Sequence, residues 1–422
     1  MHIKNFDPYD FSKKEIDGVM VYYKNLPWAP CINISVAFNT GAFSDPIGKE
    51  GLSHFLEHLI FDGSLKFKDK KVVREWSKKY ALNSWNAYTN FYETVYHLKC
   101  LPENYKKALE GMKDMIFNPN LKKQDVEHER GVITQESWRR YKNEKFLTYT
   151  KEVIDNLYHG HNYSRVGSPL GWPETINKIS QPDIKKWHSE KYVKSNMSIV
   201  LVGAVEEKGL GLLKDFIKNL PNKTVDKYKK GEVKKPKKLK IVKKSEEIGD
   251  PNEQAEITIY RSMPYLPESR MAIVTLFRVL VGDLLNEKLR FEKGLCYSVG
   301  MSTWLFTDVS EIFMNIKTDE KNIDLVQKEF WKIIKEIKLG KYKSKFNTLK
   351  KVNLEQTKSR ELVSEDVTDG AVRDLIKHNR IIPLFYEIKE MEAVTYKDVA
   401  NFTEEVFDPK WTFTEIILPS KK

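Results

Sequence analysis

Cysteine is scarce in this chain: Cys31, Cys100 and Cys296 are the only three in 422 residues. Far apart and odd in number, they make neither a disulfide framework nor a paired-cysteine metal site, and a reducing cytoplasm is the natural home. Long hydrophobic runs are missing as well. The most apolar stretch, residues 271–285, is interrupted by Arg278 and Asp283. It is too short and too charged to span a bilayer, so membrane insertion is not expected. Residues 1–18 are polar and charged and lack the apolar core of a secretory signal. This again favours the cytoplasm, with a matrix-like compartment reached through a removed presequence also open.

Acidic residues are in deficit, 59 against 71 lysines and arginines, which leaves a net charge of +12. Much of the excess lies between Tyr228 and Lys244, where nine lysines fall. No aromatic residue follows Tyr228 in that run, so the stacking that supports single-strand binding is missing. The run reads as a solvated linker, and no nucleic-acid partner is expected.

What is present is a chain long enough for two or three domains with ordinary cores. Its pattern is written twice. Residues 19–23 and 32–39 alternate like the two strands of a hairpin. Residues 51–61 have helical spacing, 86–101 read as one or two strands, and 103–116 and 126–141 as helices. A helix at 183–192 feeds a strand at 197–202. In the second half, strands within 297–316 precede a helix at 322–337, as at 86–116. The ends match further: Asp183 aligns with Asp398, Trp187 with Phe402 and Tyr192 with Phe407, each pair 215 positions apart (398 less 183). That offset is about half the chain, as a two-domain duplication requires. The lysine run falls between the halves, where a linker belongs.

The chemistry sits in the first half. GLSHFLEHLIFDG, residues 51–63, holds His54, Glu57 and His58 in an H-x-x-E-H pattern. On a helix, positions i, i+3 and i+4 share a face, so two imidazoles one turn apart can grip one metal ion beside a carboxylate that can hold a water. Leu52, Phe55, Leu56, Leu59 and Ile60 pack the remaining faces. A catalytic zinc site needs three protein ligands and an open position. Glu129 and Glu136, seven apart on the helix 126–141, share a face from which a carboxylate could complete a His₂Glu set.

HFLEH followed by ER-x₅-E, with Glu136 78 residues beyond His58 (136 less 58), resembles the pitrilysin or insulinase family of zinc peptidases. NAYTNFYETVYHLK at 86–99 and LRFEKGLCYSV at 289–299 resemble two further motifs of that family, and the similarity spans essentially the whole chain in order. The resemblance implies one zinc per chain held by His54, His58 and Glu136, with Glu57 as general base activating a zinc-bound water. It implies that Glu129 orients a ligand histidine. Asn86 and Ala87 would pair an edge strand with the substrate backbone, and Arg290 and Tyr297 would reach the peptide near the scissile bond. The second half has no H-x-x-E-H, so it is expected to hold substrate rather than metal.

The implied fold is α+β: two homologous domains, each a mainly antiparallel sheet packed with helices, together half of a clamshell chamber. The expected boundaries are a catalytic domain at 1–222, a lysine-rich linker at 223–236 and a substrate-binding domain at 237–422. The implied function is a zinc-dependent endopeptidase acting on peptides or unfolded polypeptides. The alternatives are a processing-peptidase subunit that removes presequences and a non-catalytic scaffold subunit of a heterodimer. A homodimer is the simplest assembly, with a heterodimer open.

Overall fold

In strand β2 (Val19–Asn25), Val19 and Val21 are buried while Met20 and Tyr22, alternating with them, are partly covered. In β3 (Ile32–Phe38) all seven residues are buried. A strand covered on both faces belongs inside a sheet. The computed structural model describes residues 6–205, 207–226, 228–359 and 363–420. In it, β1 (Ser12–Ile16), β2, β3, β4 (Asn86–Thr89), β5 (Thr94–Cys100) and β6 (Met197–Gly203) form one sheet in the order β1-β2-β6-β3-β5-β4. A second sheet takes β7 (Lys240–Lys244), β8 (Ala255–Pro264), β9 (Ser298–Leu305), β10 (Val309–Thr318) and β11 (Phe413–Leu418) in the order β7-β11-β8-β10-β9.

The two sheets repeat one plan. Each has a single parallel pair, β2 with β6 and β7 with β11, and is otherwise antiparallel. The helices that feed β6 and β11 start alike. Ser180 and Asp183 form a capping box on Gln181–Lys191, and Thr395 and Asp398 form one on Tyr396–Val406. Trp187, Tyr192, Phe402 and Phe407 are all buried. The fold is α+β, with a core on each sheet.

Two expectations need correction. The strands at 19–25 and 32–38 are not a hairpin: β6 lies between them, parallel to β2 and antiparallel to β3. Six of the seven residues of β6 are buried, so it takes a partner on each side. The first hairpin is instead β1 with β2, turning at Asp17 and Gly18, whose φ values of 49° and 80° suit a two-residue primed turn. Nor is the whole lysine run a solvated linker. Its last five residues are edge strand β7, with Ile241 buried. Lys237 pairs with Asp155 at 2.6 Å, and Lys238 and Lys243 lie 3.4 and 3.8 Å from Glu152.

The chain divides into two compact units that exchange helices. The helix Glu144–Tyr158 belongs to the second, where the Tyr149 hydroxyl donates to Glu415 at 2.6 Å. The helix Ser364–His378 belongs to the first, where Ala371 and Val372 pack on Ala37, Val95 and Val200 of the sheet. Among the described residues, no helix is long and apolar enough to cross a membrane.

Candidate metal centre

The motif helix Leu52–Ile60 begins at Gly51, whose φ of 100° favours glycine. A Cβ there would meet the Leu170 carbonyl oxygen at 2.7 Å. Gly51 has no side chain to cap the helix, and Asp45 does so from a distance. Its carboxylate accepts from Gly51 N at 2.8 Å, Ser53 N at 3.0 Å and Ser53 Oγ at 2.6 Å. Leu52, Phe55, Leu56, Leu59 and Ile60 enter the core and fix the helix's rotation, while His54 and Glu57 are buried polar groups of the same helix. The second ligand helix, Lys123–Tyr141, is anchored by the fully buried Val126 and Ile133, seven apart like Glu129 and Glu136.

The two helices bring His54, His58 and Glu136 together, with one candidate ligand atom from each lying within 4.8 Å of the others. His58 Nε2 is 3.7 Å from Glu136 Oε2, and His58 Nδ1 is 3.0 Å from Glu129 Oε2. Glu129 is almost wholly buried. Its other oxygen takes the Lys70 ammonium at 2.5 Å, and that ammonium also lies 2.8 Å from Asp62.

Electrostatics follow from this arrangement. Burial pushes the Glu129 carboxyl up, but hydrogen bonds from His58 and Lys70 outweigh it and hold the group at about 2. Burial, with His58 alongside, pulls His54 down to about 3, which keeps its imidazole neutral as a metal ligand must be. For His58 burial pulls down, yet the Glu129 hydrogen bond and the nearby carboxylates prevail and raise it. Burial raises Glu57, against a hydrogen bond from Thr89 of β4.

His54 Nδ1 and Glu57 Oε2 are buried without a hydrogen-bond partner. Buried polar atoms are nearly always paired, so orphans one turn apart fit a site that a metal ion and water complete. Two histidines and a glutamate form one of the known donor sets of catalytic zinc.

Strand β4 is the last in its sheet. Asn86 and Ala87 pair with His97 and Tyr96 of β5 on one side, and the other edge carries no strand among the described residues. Arg290 and Tyr297 belong to the second unit. Arg290 lies exposed in a π-helical turn, Asn286–Glu292, over the Phe291 ring. Tyr297, 52% exposed, precedes β9 and donates to Asp319 at 2.8 Å. Sequence reasoning missed Lys70, Asp62 and Thr89. Lys70 is one of four lysines within residues 66–71, and nothing local marks it.

The comparisons with known proteins agree with this two-sheet build. A protease from Helicobacter pylori superposes with a TM-score of 0.81 at 21% identity, over 97% of this chain and all of that one, which shows a shared fold. Family models for insulinase (peptidase family M16) and for the peptidase M16 inactive domain match residues 20–169 and 178–352. The chain belongs to this insulinase, or M16, peptidase family. An uncharacterized zinc protease of Rickettsia felis is 24% identical over 325 residues, 74% of each chain. The beta subunit of the mitochondrial-processing peptidase of Neurospora crassa is 28% identical over 211 residues, 49% of this chain and 42% of that one.

Proposed function

We propose that the protein is a zinc-dependent endopeptidase that hydrolyses peptides or unfolded polypeptides. The observation that carries this reading is the grouping of His54, His58 and Glu136 beside the unpartnered carboxylate oxygen of Glu57. His54, His58 and Glu136 would hold one zinc ion. Zinc supplies Lewis acidity, polarising a carbonyl and bringing the pKa of water to about 7. Glu57 accepts the proton of the attacking water and returns it to the leaving amine. Glu129 receives the His58 Nδ1 proton in a hydrogen bond and leaves Nε2 free as a donor to metal.

The substrate adds as a strand along the open edge of β4, its backbone beside Asn86 and Ala87. Backbone pairing along a sheet edge needs an extended chain, which favours unfolded over folded substrate. To Arg290 and Tyr297 we assign the holding of the peptide and of the developing oxyanion, on the strength of the family resemblance of residues 289–299. We further propose a homodimer that encloses the chamber. Cytoplasmic residence belongs to the same proposal, supported by three free cysteines.

The similarity to a processing-peptidase beta subunit favours a second reading, a specific subunit that removes presequences with a partner. One experiment decides between peptidase and silent scaffold: metal analysis of the purified chain, with cleavage of an unfolded polypeptide in the presence and absence of a chelator. Roughly stoichiometric zinc and chelator-sensitive cleavage are expected. Zinc-free protein that cleaves nothing after zinc is restored would end the peptidase reading. Cleavage confined to presequence peptides would select the second.

A further inference from the structure

We propose that Lys70 is a positioning residue for the metal centre, clamping the free oxygen of Glu129 and so fixing the carboxylate that aims His58. This inference rests on the zinc reading above.

Glu129 divides its two oxygens. Oε2 meets His58 Nδ1 at 3.0 Å, and Oε1 meets Lys70 Nζ at 2.5 Å. The terminal torsion of a glutamate is soft, so one hydrogen bond alone leaves the carboxylate free to rock, and the imidazole with it. A second anchor stops that motion. Partners of this kind set the tautomer and tilt of a ligand histidine.

Lys70 is itself held. Its ammonium lies 2.8 Å from Asp62, four residues after His58 in the motif segment. It opens the helix Lys70–Tyr80, which Asp69 caps by accepting from Val72 N at 3.0 Å. One cation thus ties the end of the motif segment to the helix that carries Glu136.

Most lysine–carboxylate pairs on a protein surface contribute little. Here both carboxylates are buried, with side-chain exposures of 2% for Glu129 and 9% for Asp62. Two neighbouring buried anions need a shared cation. The lysine side chain is 53% exposed, so shortening or neutralising it removes charge while sparing the core.

The test uses the full chain. Zinc affinity is measured by competition with a chromogenic chelator, and the ligand geometry is read from the absorption spectrum of the cobalt-substituted protein. Lys70→Met is expected to weaken zinc binding about 10-fold, the low end for losing an outer-shell partner. It should also alter the cobalt bands, and the zinc-free protein should lose some thermal stability because Glu129 and Asp62 lose their shared cation. Lys70→Arg should restore both readouts. In a Glu129→Gln background Lys70→Met should add no further loss, because the lysine acts through that carboxylate. Lys70→Gln serves as a second variant, read in the same way.

Parent-like affinity and spectrum in Lys70→Met would overturn the assignment. So would an undiminished effect on zinc affinity in the Glu129→Gln background, because the lysine would then not act through that carboxylate. An unsubstituted chain that binds no zinc, or one whose His58→Ala variant binds it as tightly as the parent, would overturn the centre itself and this inference with it.

Discussion

At the scale of single residues, the proposed function gives His54, His58 and Glu136 the metal and Glu57 the proton. Glu57→Gln is expected to keep zinc and fold but to lose hydrolysis by about 10²–10⁴-fold, because an amide cannot take the proton of water. Metal analysis beside a cleavage assay checks both halves of that statement. His58→Ala and Glu136→Ala are expected to lose zinc affinity instead, and retention of one tightly held zinc by both variants would refute the ligand set. Tyr297 makes a sharper case. The side chain is half exposed and, among the described residues, its hydroxyl is engaged by Asp319 alone, so Tyr297→Phe should scarcely alter thermal stability. If the hydroxyl meets developing charge on the substrate, turnover should fall by about 10²–10³-fold. Unchanged turnover would leave Tyr297 a surface group.

At the scale of elements, the motif helix is held at its start by a residue outside it. Asp45 accepts three hydrogen bonds from Gly51 and Ser53, two of them from backbone amides at the start of the helix. Asp45→Ala leaves those donors buried and unpaired, a cost of about 2 kcal/mol or more. Denaturant unfolding should register that loss, and zinc affinity should fall with it, since His54 and His58 ride on the helix. Gly51→Ala should be similarly harmful, because its Cβ would lie 2.7 Å from the Leu170 carbonyl at a φ of 100°. Parent-like stability in both variants would show that the helix start is not set by this cap.

At the scale of the whole molecule, the exchange of helices changes how the halves can be separated. A chain ending at residue 222 keeps His54, Glu57, His58 and Glu136 but loses the helix Ser364–His378. That exposes Ala37, Val95 and Val200, which Ala371 and Val372 cover in the intact protein. The Asn33 amide also loses the Ser364 hydroxyl it donates to at 2.6 Å. The fragment is therefore expected to aggregate or bind a hydrophobic dye, and to become soluble when residues 237–422 are supplied. Solubility and parent-like zinc binding by the fragment alone would show that the covering helix is dispensable.

The sequence by itself determined the local features. Helical spacing placed His54, Glu57 and His58 on one face, and the seven-residue spacing of Glu129 and Glu136 did the same on a second helix, because a helix fixes its side-chain period regardless of what surrounds it. The 215-residue offset exposed the duplication, and the two capping boxes sit at that same spacing because each starts the equivalent helix. Tertiary structure alone decided which strands are neighbours. Residues 19–25 and 32–38 alternate like a hairpin, yet a strand about 160 residues further on enters between them, since hydrophobic alternation records which faces are buried but not which strand lies alongside. It also decided which helix covers which sheet, and which of the four lysines at 66–71 meets a buried carboxylate. Charge in a sequence carries no direction, and only the packed chain turned Lys70 toward Glu129.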